Sequence, residues 1–124
     1  MIVVGDNQMS GIVFLKCIDL KKNLDFYQNT VDMEMWLEQP GIAILRHGNM
    51  LLGFHEAGST DMECLITFFY ESQSDVDAMH KKLDKQAVSQ PKFNDRYKIY
   101  HFFAKDPEGR NIEFQYFMHP VKNI

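Results

Sequence analysis

The amino-acid sequence predicts an α+β fold: two βαβββ modules whose sheets curve around a cleft. Three observations carry this expectation. The order strand, helix, three strands can be read twice, at an offset of about fifty residues and with only faint identity between copies. Each copy holds a segment with apolar residues at helical spacing, set between short β-branched and aromatic runs. Turn-forming Pro, Gly, Asn and Asp residues fall where that order needs chain reversals.

Residues 1–10 read as a loose arm or a short edge strand. Residues 11–18 are β-branched and aromatic, and predict a strand with both faces largely covered. Asp19 is placed to cap a helix over 20–29, with Leu20, Leu24 and Tyr27 as its apolar stripe and Phe26 widening it. Strands follow at 33–38, 42–46 and 50–55. Pro40-Gly41 and Gly48-Asn49 turn the chain between them, because Pro presets one dihedral and Gly or Asn tolerates a positive φ. The polar run 56–62 reads as a linker. A strand at 64–70 opens the second copy. Ser74 and Asp77 form a capping box for a helix that runs to about Gln86, with Val76, Met79 and Leu83 on one face and His80 beside them. Strand candidates come next at 88–89 or 92–93, then at 97–104 and 111–117, with a tight turn at Asp106-Pro107-Glu108-Gly109 between the last two. Pro120 ends the final strand. These bounds predict one domain over 1–124, with module one at about 10–56 and module two at about 62–118.

The chain has 124 residues, 45% of them apolar and 24% charged, as in ordinary globular proteins. Ten Phe, five Tyr and one Trp make it rich in aromatics, which serve cores and interfaces alike. A net charge of −4 argues against a polyanionic partner, and the basic spots Lys21-Lys22 and Lys81, Lys82, Lys85 read as solvated helix faces. Neither nucleic acid nor membrane is expected as a partner, since no apolar run approaches the length of a span. The first residues lack a basic region followed by a long apolar stretch, so no signal peptide is read and a cytoplasmic protein is expected. Cys17 and Cys64 lie in apolar runs without redox or zinc spacing, and read as buried thiols.

Two stretches resemble a known superfamily. Residues 12–19 followed by Leu24-Asp25-Phe26-Tyr27 are similar to the opening strand and Asp-initiated helix of vicinal-oxygen-chelate proteins (glyoxalase/bleomycin resistance protein/dioxygenase). Residues 103–114, with Asp106-Pro107-Glu108-Gly109 followed by Ile112 and Glu113, resemble that superfamily's closing signature. Agreement in order and spacing covers nearly the whole chain. The resemblance implies a glyoxalase/bleomycin-resistance-like fold and pairing of two chains with clefts near the interface. A homodimer is therefore expected, and the sixteen aromatics support it. In metal-dependent members the closing glutamate joins two histidines or acids. Carried over, Glu113 matches, while the other positions fall on Ile12, near Gly53, and at Cys64 or Leu65. Ile, Gly and Leu supply no side-chain ligand, so neither metal nor other cofactor is expected.

By strand alternation Glu113 shares a face with Gln115, opposite Ile112, Phe114 and Tyr116, and that face is expected to look into the cleft. Lys16 and Phe14 in the opening strand, His55 and His101 are further cleft candidates, although a lone strand histidine is more often packed or solvated than a ligand. His55, Glu63 and Glu113 form a fallback metal set. The serines lie in polar turns or at a cap without a nucleophile elbow, and the glycines form no phosphate loop. The expected function is binding of an unknown small molecule without the usual metal. The alternatives are an enzyme of lyase, isomerase or dioxygenase type with a displaced metal or metal-free acid–base chemistry, and a protein-interaction module.

Overall fold

Each module folds as a strand, a helix and three further strands, in a computed structural model that describes residues 9–124. Module one comprises β1 (Ile12–Cys17), α1 (Leu20–Asn29), β2 (Glu34–Gln39), β3 (Ile42–His47) and β4 (Met50–Glu56). Module two comprises β5 (Leu65–Tyr70), α2 (Gln73–Leu83) with a short 3₁₀ turn (Asp84–Gln86), β6 (Lys92–Asn94), β7 (Ile99–Lys105) and β8 (Asn111–Phe117). The sheets are separate and four-stranded, with orders β1-β4-β3-β2 and β5-β8-β7-β6. In each, the first strand pairs in parallel with the last, and the remaining pairs are antiparallel. No helix among the described residues is long and apolar enough to cross a membrane.

Local chemistry accounts for most boundaries. Asp19 Oδ1 accepts the Lys22 N–H at 3.0 Å and starts α1. Gly41 and Gly48 take positive φ in the turns flanking β3, and Gly109 does so after β7. The capping box sits two residues earlier than expected. Ser72 Oγ accepts the Asp75 N–H at 3.2 Å, and the Asp75 carboxylate accepts the Ser72 hydroxyl at 2.8 Å. Ser72/Asp75 and Ser74/Asp77 have the same spacing, so the motif alone could not choose between them. Both candidate strands after α2 run beside β7: Val88 donates to the Phe103 carbonyl at 2.8 Å, and β6 pairs Lys92 with His101. β7 starts at Ile99 instead of residue 97, because Lys98 takes a φ of 55° and the Asn94 side chain accepts the Tyr97 N–H. The expected arm lies mostly in residues 1–8, outside the described residues.

One apolar cluster takes residues from both modules, with Leu15, Cys17, Leu24, Tyr27, Leu45 and Phe54 joining Phe68, Val76, Leu83, Phe102 and Phe114. Tyr27 of α1 lies 5.0 Å from Phe54 and 6.4 Å from Phe68, ring centre to ring centre. The Asp106–Gly109 turn is bonded to the start of module one. Fully buried Arg110 donates to Asp106 at 2.8 Å, to Asn23 at 2.9 Å and to the backbone carbonyls of Lys16 and Asp61. The Glu108 carboxylate accepts from the backbone N–H groups of Ile18 and Asp19 and from the side chains of Asn23 and Thr60. Arg110 thus leaves no unpaired charge in the interior.

Candidate functional site

The opening strand corrects one expectation and creates the first half of the candidate surface. Leu15 and Cys17 enter the core, but Ile12, Phe14 and Lys16 point to the opposite face and are exposed, at 38% and 50% for the two apolar ones. A continuous apolar run reads as covered on both sides even when one side lacks a helix. Phe14 lies across Gly53, its register partner on β4. A Cβ on Gly53 would come within 2.5 Å of the Phe14 ring. The position near which the superfamily's ligand was expected is therefore held open for an aromatic ring. His55 is exposed at the end of β4, paired with Lys16 and Ile42.

Module two presents its equivalent face differently. β8 places Glu113 and Gln115 opposite the helix-covered face, as alternation requires, but both are buried, at 7% and 8% exposure. They form the floor of that face; neither is an open cleft wall. Glu113 Oε2 lies 2.7 Å from His101 Nδ1, and Oε1 accepts the Thr67 hydroxyl at 2.8 Å. β5, β8 and β7 each contribute one member of this set. His101 stands opposite Gln115, two residues along from the Phe103–Glu113 pair, so the histidine and glutamate meet diagonally. Phe103 packs edge-on against His101 at 5.2 Å. Leu65 and Phe69, 52% and 43% exposed, extend the face along β5.

The expected candidates are thus divided between two surfaces. Glu113, Gln115 and His101 come together, while Phe14, Lys16 and His55 share the module-one face. His55 and Glu63 are exposed, and no group of three His, Cys, Asp or Glu side chains among the described residues is placed to hold a metal, so the fallback set is not assembled. The donor chemistry of the superfamily's site does not fit here. Ile12, Gly53 and Leu65 offer no ligand, and both Glu113 oxygens are already engaged by Thr67 and His101. Thr67 was not singled out from the sequence, although it is the one aliphatic hydroxyl inside an otherwise apolar and aromatic strand. The cysteines are unpaired, and burial pushes the Cys17 thiol up to about 11, which keeps it protonated and unreactive.

No protein-family model matches the sequence, and no curated protein does. Solved structures do match in fold. A glyoxalase/bleomycin resistance protein/dioxygenase family enzyme from Burkholderia phytofirmans aligns with a TM-score of 0.74 at 16% identity, covering 85% of this chain and 95% of its own. A lactoylglutathione lyase from Agrobacterium tumefaciens gives 0.71 at 17%, covering 90% and 96%. A glyoxalase-related enzyme from Fulvimarina pelagi gives 0.75 at 15%, covering 95% and 93%. The chain therefore has the glyoxalase/bleomycin-resistance fold that its two signature stretches imply.

Proposed function

We propose that this chain is a small-molecule-binding protein that holds its ligand on the open face of module two, without the usual metal. The observation that carries the reading is the buried Glu113–His101 pair, joined by half-buried Thr67, on a face that bears exposed Leu65 and Phe69. Polar groups kept at the floor of an apolar surface are what a ligand site needs for orientation. The same set favours a second reading, an enzyme that uses the His–Glu pair for metal-free proton transfer. A cytoplasmic setting accords with two free thiols.

The two open faces also support the homodimer. Ile12, Phe14 and Leu37 on module one and Leu65 and Phe69 on module two are each between 38% and 52% exposed, which leaves apolar surface for a second copy of the chain to cover. Such a copy would turn an open sheet face into a walled cleft.

A thermal-shift screen of metabolites and antibiotics tests the binding reading, because a ligand that prefers the native state raises its apparent stability. At least one compound is expected to stabilise the wild type and to lose that effect in Glu113→Met, which leaves Thr67 and His101 without their shared partner. If no compound does so while a stoichiometric protein partner co-purifies, an interaction module replaces it. Product formed from a hit would select the enzyme. Elemental analysis after exposure to zinc, nickel, manganese and iron tests the metal-free part: one equivalent per chain, abolished by Glu113→Gln, would overturn it. Light scattering that returned a monomer's mass over a broad micromolar range would remove the dimer.

A further inference from the structure

One atom of the buried Glu113–His101 pair on module two has no use in the fold. The Glu113 carboxylate accepts from Thr67 on one oxygen and meets His101 Nδ1 on the other, so Nδ1 carries the proton of that contact. The two nitrogens lie on different sides of the imidazole, and Nε2 points away from Glu113. It is buried and has no hydrogen-bond partner among the described residues, on a side chain only 8% exposed. An unpaired buried polar atom carries a desolvation penalty that a bound group would remove.

The surroundings restrict what that group can be. Phe103 stands edge-on to the ring, and Ile99 and Phe117 pair on the same face one step along. The adjacent Glu113 disfavours an anion, and both its oxygens are engaged, so a buried cation would find no free counter-charge. A hydroxyl suits Nε2 in either protonation state, donating to the bare nitrogen or accepting from its N–H. We infer that His101 Nε2 is the anchor for the hydroxyl of a small, uncharged, ring-sized molecule of the phenol class. Thr67 and Glu113 act as positioning residues that orient the imidazole. This deepens the small-molecule reading and rests on it. At the sheet edge beside His101, β6 is three residues long, pairs with β7 at three positions, and carries exposed Lys92 opposite His101.

Phenol and anisole, which differ by a methyl cap on the oxygen, separate the possibilities. Each is titrated against the full chain while imidazole ¹⁵N and backbone amide resonances are followed. Phenol is expected to move the His101 Nε2 resonance and to bind about ten-fold more tightly than anisole. That preference is expected to vanish in His101→Phe and to shrink in Thr67→Val. Equal binding of both probes on the β7–β8 face with Nε2 unmoved overturns the hydroxyl anchor and leaves the binding reading standing. Should β7 and β8 amides respond to neither probe nor to any compound of the thermal-shift panel, both fall. If His101→Phe does not fold, the wild-type Nε2 resonance decides alone, and its failure to move at saturating phenol overturns the proposal.

Discussion

The two modules share one topology and spend it on different chemistry. Register makes the comparison position by position: Phe14 pairs with Gly53 across β1 and β4, and Thr67 pairs with Glu113 across β5 and β8. Where module one lays an exposed ring over a glycine, module two closes a hydroxyl onto a buried carboxylate. The third strand repeats the contrast, with Ile42 in module one at the place His101 holds in module two. Duplication of a fold therefore duplicates positions, while the residues at those positions decide which half carries polar chemistry.

The largest expected effect lies where the modules meet. Arg110→Met leaves Asp106 as an uncompensated buried charge and removes one donor each from Asn23 and two backbone carbonyls, so denaturant melts are expected to show a loss of about 3–5 kcal/mol. A loss under about 1 kcal/mol would mean that the modules hold together without this contact.

Within module two, Glu113→Met leaves the half-buried Thr67 hydroxyl and the buried His101 Nδ1 without partners, and is expected to cost about 1–3 kcal/mol. Glu113→Gln can keep both contacts, because the Thr67 hydroxyl can turn to accept, and should stay within about 1 kcal/mol. Equal melts for the two variants would show that the carboxylate is not the centre of the set. In module one the matching experiment is Gly53→Ala, which drives a Cβ into the Phe14 ring and is expected to cost about 1–2 kcal/mol. Adding Phe14→Ala should recover most of that loss, and strictly additive melts would break the pairing of these two positions.

Acid should weaken the clamp formed by Glu108. Burial works to raise its pKa, but the hydrogen bonds from Thr60, from the Ile18 and Asp19 backbone and from Asn23 outweigh it and hold the value below the usual 4.5. Its stabilising contribution is complete above 4.5 and is lost as the pH falls through the lower value of the folded state. Melts of the wild type and Glu108→Gln should therefore converge on acidification. A gap that stays constant would contradict the clamp. The smallest effect is expected at Arg46 and Glu34, an exposed pair at 2.7 Å on module one's strands. Arg46→Ala should change stability by no more than about 0.5 kcal/mol, although its geometry resembles that of buried Arg110–Asp106.

Much of this was legible in the sequence because local rules set it. The turns at Gly41, Gly48 and Gly109 need residues that tolerate positive φ, and strand alternation places Glu113 and Gln115 together. Counting outward from the Asp106–Gly109 turn even brings His101 to the face of Glu113, since Phe103 pairs with Glu113. Thr67 stayed hidden because β5 lies parallel to β8, and a parallel pair has no turn from which to count. Burial of Glu113 and Gln115 depends on packing that alternation does not report. The Asn23–Arg110–Glu108 network stayed hidden for a simpler reason: its partners are 85 to 90 residues apart in the chain.

That separation has a consequence for how the protein is made. The backbone donors of Ile18 and Asp19, at the threshold of α1, leave the ribosome 90 and 89 residues ahead of their acceptor, Glu108. Until the turn at Asp106–Gly109 is synthesised, the Asn23 side-chain oxygen lacks its Arg110 donor, and the Lys16 carbonyl has only the Asp61 N–H. A loop of that length must close before they dock, at an entropic cost that grows slowly with length but has to be met before the contacts reward it. The closing signature is thus also a completion signal, because the start of module one finds its last bonding partners only when most of module two exists.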